Sequence, residues 1–318
     1  MAIALVVLVF AFLLTPVVQT EPPGFVRWSA AELARRDDGL ATRVGPDDSA
    51  RETLADYGIP ERSHRFRLLR RDGDGAPEQH EHIEDVVFVQ SGNATLQVGG
   101  DMVSPVGSNG EYRGDAITGG IEYPVGPGTI LHIPANTPHR YLVPEGGHVT
   151  YVLVRFPAFT GEPVLRADAP TLSFNPAGFA LWSAPELTRR RNALATDMRP
   201  DHSSRETLAD YGHPDGGHRF RHIHRDADGA PEIHDEIIDV VFVISGEGYV
   251  QVGGEMLGRT GSLGTGIAGG VRHPVGAGDI LHIPVSTPHG YLMPPGGHIT
   301  YVLARLPRVV VANTRSSR

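Results

Sequence analysis

The sequence predicts an all-β protein: two antiparallel barrels or sandwiches in tandem, with short peripheral helices. Three observations point there. The stretch GAPEQHEHIEDVVFVQSG from Gly75 to Gly92 returns as GAPEIHDEIIDVVFVISG from Gly229 to Gly246, at an offset of 154 residues that already holds between Trp28 and Trp182. A fixed period marks a repeated structural unit. Short β-branched or alternating apolar runs recur through both copies between Gly, Pro, Asn and Asp. Finally, Gly 39 and Pro 26 accompany few helical patterns, which means many turns.

The 318 residues divide into units of about 125 to 130, each large enough for its own core. The expected organisation is a first domain over 27–155, a linker over 156–180, a second domain over 181–306 and a tail over 307–318. Residues 1–20 carry an apolar run from Ala2 to Leu14 and then Pro16, the length of a signal-peptide core and short for a bilayer span. The expectation is an exported protein, secreted or periplasmic, with no membrane span once the leader is gone, although the leader lacks a basic n-region; a retained N-terminal anchor and a mis-called start are the alternatives. Net charge is −9 with the charges interspersed, which argues against a nucleic-acid partner. All 28 basic residues are arginine and cysteine is absent. Schiff-base lysines, thiolate nucleophiles and sulfur-ligated metals are thereby excluded.

Each copy opens with a capping box, Ser29 with Glu32 and Ser183 with Glu186, in which the Ser side chain accepts from an unpaired helical N–H. A second pair, Ser49 with Glu52 and Ser203 with Glu206, continues as ETLADYG to Gly58 and Gly212 and predicts a second peripheral helix in each copy. Strands are expected at His64–Arg67, Val86–Val89, Thr95–Val98, Gly128–Ile133 and Val149–Val154. Copy two repeats them at His218–Arg221, Val240–Val243, Tyr249–Val252, Gly278–Ile283 and Ile299–Leu303. The glycine-rich pieces from Val98 to Pro124 and from Val252 to Pro274 differ by four residues and read as surface loops, with 101–122 and 255–272 as candidate lids.

Acidic and imidazole side chains lie beside the strand-like runs of both copies, and such groups are normally expelled from a core unless they bind something. Glu78 and His80, like Glu232 and His234, are two apart, so on a strand they face the same cavity. Asp85 and Asp239 open the next strand. Farther on, Gly128, Pro134 and His139 match Gly278, Pro284 and His289, placing a histidine just after a proline-centred turn.

Here the chain resembles the cupin superfamily, whose motifs read G-x5-H-x-H-x3-4-E-x6-G and G-x5-P-x-G-x2-H-x3-N. The resemblance covers both units, so the chain looks like a bicupin with a variant E-x-H-x4-D first motif, and it implies two double-stranded β-helix (jelly-roll) barrels. In the second motif Asn136 and Ser286 stand where the family has glycine. Cupins commonly hold one divalent metal on these motif positions, which correspond here to Glu78, His80, Asp85 and His139, and to Glu232, His234, Asp239 and His289. All-N/O ligands suit Fe, Mn, Ni, Cu or Zn alike. The other reading of the same residues is a metal-free polar network. A register pairing His80 with His82 is set aside, because copy two has Glu236 there. His222 and His224 are set aside because their counterparts are Leu68 and Arg70.

Of the remaining recurrent groups, His132/His282, His148/His298 and His64/His218 read as rim or strand histidines bonded to backbone, with orientation of a ligand as the alternative. Arg65, Arg67, Arg219 and Arg221 read as outer-face charge, with a carboxylate clamp as the alternative. Tyr57 and Tyr211 read as helix anchors with hydroxyls at the rim. The resemblance is specific for architecture and weak for reaction; it is the two-histidine, one- or two-carboxylate set, able to leave coordination positions open, that suggests a metal-dependent enzyme acting on a small polar metabolite, oxidation by O2 foremost and decarboxylation or isomerisation beside it. Glu78 and Glu232 would be fourth ligands or general bases. The competing expectations are a non-catalytic bicupin that binds metal or small ligand, and a storage-type barrel pair. A homo-oligomer is compatible with any of them.

Overall fold

A computed structural model describes residues 20–58, 63–158, 176–213 and 217–308. Most of the expected leader, linker and tail therefore lies outside the described residues. The two copies form two jelly rolls, each made of facing antiparallel sheets. In the first, one sheet has the order Ala180–Trp182, Ile130–Ile133, Ile83–Gly92, Val149–Pro157, Arg65–Arg71 and Ser49–Asp56. The facing sheet runs Ile121–Val125, Ala94–Val98, His139–Leu142, Glu78–His80, Glu111–Arg113 and Val106–Ser108. In the second, the strand Ile237–Val252 passes through both sheets, pairing first with Ile299–Pro307 and then with Val271–Gly276 and His289–Leu292.

The opening strand of each copy belongs to the sheet of the other. Val26–Trp28 pairs with Ile280–Ile283, and Ala180–Trp182 pairs with Ile130–Ile133. Trp28 and Trp182 thus enter a shared core with Phe66, Phe88, Phe220 and Phe242. This seam explains the unbroken apolar run DVVFV. Val86 and Phe88 face the seam while Val87 and Val89 face the interior of their own jelly roll, and a strand covered on both faces loses its polar alternation.

The first capping pairs open helices at Ala30–Ala41 and Ala184–Leu194, where Ser29 and Ser183 side chains accept from the Glu32 and Glu186 amides while the glutamate side chains accept from Arg36 and Arg190. The second pair does not make helices. Ser49–Asp56 and Ser203–Asp210 are edge strands on Arg65–Arg71 and Arg219–Arg225. The serine hydroxyls donate to Asp47 and Asp201 instead of capping an amide, and Glu52 and Glu206 accept from Arg36 and Arg190 of the helices. The capping pattern is shared by strands, and an open sheet edge decides between them. The expected loop over 101–122 is also more ordered than its composition suggests. It holds the pair Asp101–Val103 with Ala116–Thr118 and the hairpin Val106–Ser108 with Glu111–Arg113.

His64 and His282 meet across the seam. The Gly24 carbonyl can only accept, so His282 Nδ1–H donates to it at 2.7 Å. His64 Nε2–H then donates to His282 Nε2 at 2.9 Å, and His64 Nδ1 accepts from Ser63. Tyr57 and Phe66 pack around the pair and Asp56 is the nearby charge. No position is left for a further proton. Burial, followed by the neighbouring ring, pushes His64 down to about 3, and burial pushes His282 down to about 4. Their contribution to stability is whole above the unfolded value of about 6.5 and is lost as pH falls toward the folded values, on the order of 2 kcal/mol per ring by about pH 5. Urea midpoints measured from pH 8 to pH 5 should fall accordingly, and His64→Phe should flatten the slope. An unchanged slope would contradict the assignment.

Candidate metal and anion site

Each jelly roll encloses a cavity between its sheets, of about 580 Å³ in the first and about 470 Å³ in the second. Glu78 and His80 lie on one short strand, Asp85 on the opposite sheet, and His139 directly across from Glu78. The turn before His139 is held by Asn136, whose N–H donates to the His80 carbonyl at 2.7 Å; Ser286 does the same to His234 at 2.6 Å. Asn136 and Ser286 have φ of 59° and 56°, the left-handed conformation that explains a glycine in the family motif. Gly92 and Gly246 are required by closeness: a Cβ there would lie 2.0 Å from the carbonyl oxygens of His148 and His298.

The ligand-type atoms of Glu78, His80 and His139 lie within 4.8 Å of one another, as do those of Glu232, His234 and His289. Asp85 adjoins the first set, its Oδ2 3.7 Å from His80 Nε2 and 3.9 Å from His139 Nε2. Asp239 Oδ2 is 3.5 Å from His234 Nε2 and 3.4 Å from His289 Nε2. The orientation of the rings is fixed from behind. His139 and His289 Nδ1–H donate to the Thr137 and Thr287 carbonyls at 2.9 Å, and His80 Nδ1–H donates to Glu111 at 2.8 Å. Each Nε2 therefore turns inward, the arrangement of a ligating imidazole with its outer N–H held. Two imidazoles and two carboxylates so disposed fit a borderline divalent ion.

The electrostatics include a group that the sequence reading did not single out. Arg155 sits among the same atoms, its Nε and Nη2 donating to Asp85 at 2.9 and 3.1 Å and its Nη2 to His80 Nε2 at 2.6 Å. Arg305 donates to Glu232 and to His234 Nε2, both at 2.9 Å. The signal was present in TYVLVRFP and TYVLARLP, where one arginine interrupts an apolar strand in both copies. Burial opposes the charged form of Glu78, but the His139 hydrogen bond and the charges of His139, Arg155 and His80 hold it well below the usual carboxylate range. Burial likewise opposes ionised Asp239, yet Arg305 and His289 keep its pKa low. Burial opposes the His139 imidazolium as well, but Glu78 and Asp85 raise its pKa above the ordinary value.

The arginines of the strands Arg65–Arg71 and Arg219–Arg225 are not outer-face charge. Arg65 and Arg67 line the first cavity and Arg221 the second, because alternate residues of a strand share a face. The first cavity is lined by six arginines (51, 65, 67, 71, 113 and 155) against Glu78 and Glu111, and the second by Arg199, Arg205, Arg221, Arg225 and Arg305 against Glu206 and Glu232. Arg65 is paired with Asp56 at 2.7 Å. Arg67 and Arg221 have no carboxylate within ion-pair distance among the described residues. Burial and then neighbouring guanidiniums lower the Arg67 pKa, and push that of Arg221 down to about 10.

The residues set aside lie elsewhere. The His82 side chain is 76% exposed, and His222 and His224 turn to Glu206 and Thr300. His148 and His298 line neither cavity. His64, His132, His218 and His282 are buried at the seam and not at a rim, but His132 and His282 are, as expected, strand histidines bonded to backbone, at the Gly178 and Gly24 carbonyls. Tyr57 and Tyr211 follow strands instead of anchoring helices, and donate to the Gly24 and Gly178 carbonyls.

No family model and no curated protein matches the chain. Solved structures do. A protein described as glyoxylate-induced, from Pseudomonas aeruginosa, superposes with a TM-score of 0.54 at 14% identity, covering 95% of each chain. A salicylate 1,2-dioxygenase from Pseudaminobacter salicylatoxidans gives 0.59 at 11% identity, over 91% of this chain and 87% of that one. The chain has the cupin fold. A mutant of the same dioxygenase in complex with gentisate gives 0.57 at 12% identity, over 91% and 84%. One cavity lies between the facing sheets of each jelly roll, and Glu78–His80 and His139–Leu142 pair directly beside the first. Among the described residues no helix is long and apolar enough to cross a membrane.

Proposed function

We propose that each cupin unit holds one divalent transition metal, on Glu78, His80, Asp85 and His139 or on Glu232, His234, Asp239 and His289, and acts on a small carboxylate-bearing molecule. Oxygenase chemistry is the leading reaction type. The observation that carries the reading is the pairing of inward-turned imidazoles and carboxylates with a cavity whose free cations are guanidiniums. When bound, the ion supplies Lewis-acid polarisation and, if redox-active, electrons for dioxygen chemistry. Arg67 and Arg221, half-buried and without a carboxylate partner among the described residues, offer the planar fork that receives a carboxylate in two hydrogen bonds. Glu78 and Glu232, held as carboxylates below their usual range, serve as the fourth ligands, since so weak a base is poorly matched to taking a substrate proton. Glu111 keeps His80 Nε2 pointing at the centre. The similar fold of a salicylate dioxygenase, also solved with gentisate, supports an aromatic carboxylate as the first class to try.

A second reading has its own support. Arg155 and Arg305 already place a cation against Asp85 and Glu232, so each site is charge-compensated as it stands and could serve as a non-catalytic carboxylate-binding module. Elemental analysis of protein purified without chelator, followed by oxygen-electrode assays with Fe²⁺ or Mn²⁺ and a panel of aromatic and aliphatic carboxylates, separates the two. Metal that is lost in His139→Ala/His289→Ala, together with carboxylate-dependent oxygen uptake, is the expected result. Saturable carboxylate binding without metal or turnover selects the second reading, and neither metal nor carboxylate binding defeats both.

A further inference from the structure

A third group of ligand-type side chains lies at the seam, outside both cavities. Glu84 comes from the strand Ile83–Gly92, His132 from Ile130–Ile133, and His218 from the other copy, immediately before Arg219–Arg225. Their exposures are 6%, 0% and 2%, and one ligand-type atom of each lies within 4.8 Å of the others.

The hydrogen bonds restrict what can sit between them. The Gly178 carbonyl only accepts, so His132 Nδ1–H donates to it at 3.0 Å. A neutral His132 then presents a bare Nε2 lone pair, 2.6 Å from Glu84 Oε2. Two acceptors at that distance require a proton between them, or a metal ion in its place once they separate to coordination distance. His218 Nε2 points to the same carboxylate oxygen at 3.5 Å and is buried without a hydrogen-bond partner among the described residues. Tyr211 stacks on the His218 ring and packs against His132, with centroids at 4.5 Å from each.

The internal repeat supplies a control. At the corresponding place across the seam, His282 and His64 stand for His132 and His218, and Ile238 stands for Glu84. There the two rings bond directly to each other at 2.9 Å, a neutral chain complete in itself. Glu84 occurs in one copy only. With it the ring centroids stay as close, 4.7 Å against 4.8 Å, but both Nε2 atoms turn toward a carboxylate, a nitrogen–nitrogen–oxygen donor set from three segments.

We infer that Glu84, His132 and His218 form a third, structural divalent-metal site of zinc type, which pins the two cupin units together at one of two pseudo-equivalent places. The ion displaces the shared proton as the Glu84 carboxylate draws back, since two ligands on one tetrahedral ion stand about 3.3 Å apart, with His132 held in its ligating tautomer by Gly178. Burial on every side means that it enters as the chain folds.

The test uses the full chain with His139→Ala and His289→Ala, so that the cavity sites do not contribute, refolded with Zn²⁺ and dialysed. One zinc per chain is expected by elemental analysis, with a rise in the thermal midpoint over protein refolded without metal. Adding Glu84→Ile, which installs the residue of the corresponding place, should bring zinc near zero and abolish that rise; His218→Phe, keeping a ring against Tyr211, should do the same. Refolding with Co²⁺ should give the visible absorption of a low-coordinate nitrogen–oxygen site only when Glu84 is present. No zinc in the double variant, or unchanged zinc after Glu84→Ile, overturns the inference. Destabilisation by Glu84→Ile without any metal dependence also overturns it, by identifying a proton as the bridge. None of these outcomes depends on whether the cavity sites bind metal.

Discussion

Arg67→Ala combined with Arg221→Ala is expected to weaken binding of small carboxylates by about 10- to 100-fold in each cavity, the loss of a charge-assisted contact of about 1.5–3 kcal/mol, while leaving the fold as stable as before or more so. The two halves of this expectation have one cause. Both side chains are half-buried among other guanidiniums, which lower their pKa values, and neither has a carboxylate partner among the described residues. A structural arginine loses stability when truncated; an arginine waiting for an anion relieves repulsion. Isothermal titration with salicylate or gentisate, alongside urea unfolding, measures both. Loss of stability with unchanged anion binding would return these arginines to the outer-face role that the sequence suggested.

Legibility from sequence followed whether a property was local or needed the register between distant strands. The two-unit plan was readable because a repeat needs no structure to be seen, and Glu78 with His80 because an i, i+2 pair shares a face on any strand. The turn before His139 was readable through proline spacing, and its left-handed Asn136 agrees with the glycine of the family motif. Arg155 was not readable as part of the site. Within TYVLVRFP nothing local says which face it takes, and only the pairing of Arg155 with Asp85 places it inside. Ser49 and Glu52 failed for a different reason, since serine and glutamate at that spacing suit a helix start and a charged sheet edge equally. The Glu84, His132 and His218 group was beyond reach because it exists only through the crossing of opening strands between units, which no hydrophobic pattern encodes.

Arg155→Met should separate the two kinds of cation that the first site can hold. Asp85 is 2% exposed, and Arg155 is its guanidinium partner at 2.9 and 3.1 Å. Methionine fills much of the volume but leaves a buried carboxylate uncompensated, a loss of about 3–5 kcal/mol. In the wild-type chain an incoming divalent ion competes with the guanidinium for Asp85 and for the His80 Nε2 lone pair. In the variant it meets both unopposed. Metal-free Arg155→Met is therefore expected to unfold at markedly lower urea, and saturating Mn²⁺ or Zn²⁺ to restore most of the difference, with tighter metal binding than in wild type. Arg305→Met should show the same pattern more weakly, because the Arg305 Nε to Asp239 contact is 3.3 Å and Asp239 Oδ1 lacks a hydrogen bond. If metal gives the variant no recovery, the guanidinium is the resident cation of these sites, and the carboxylate-binding reading stands without a metal.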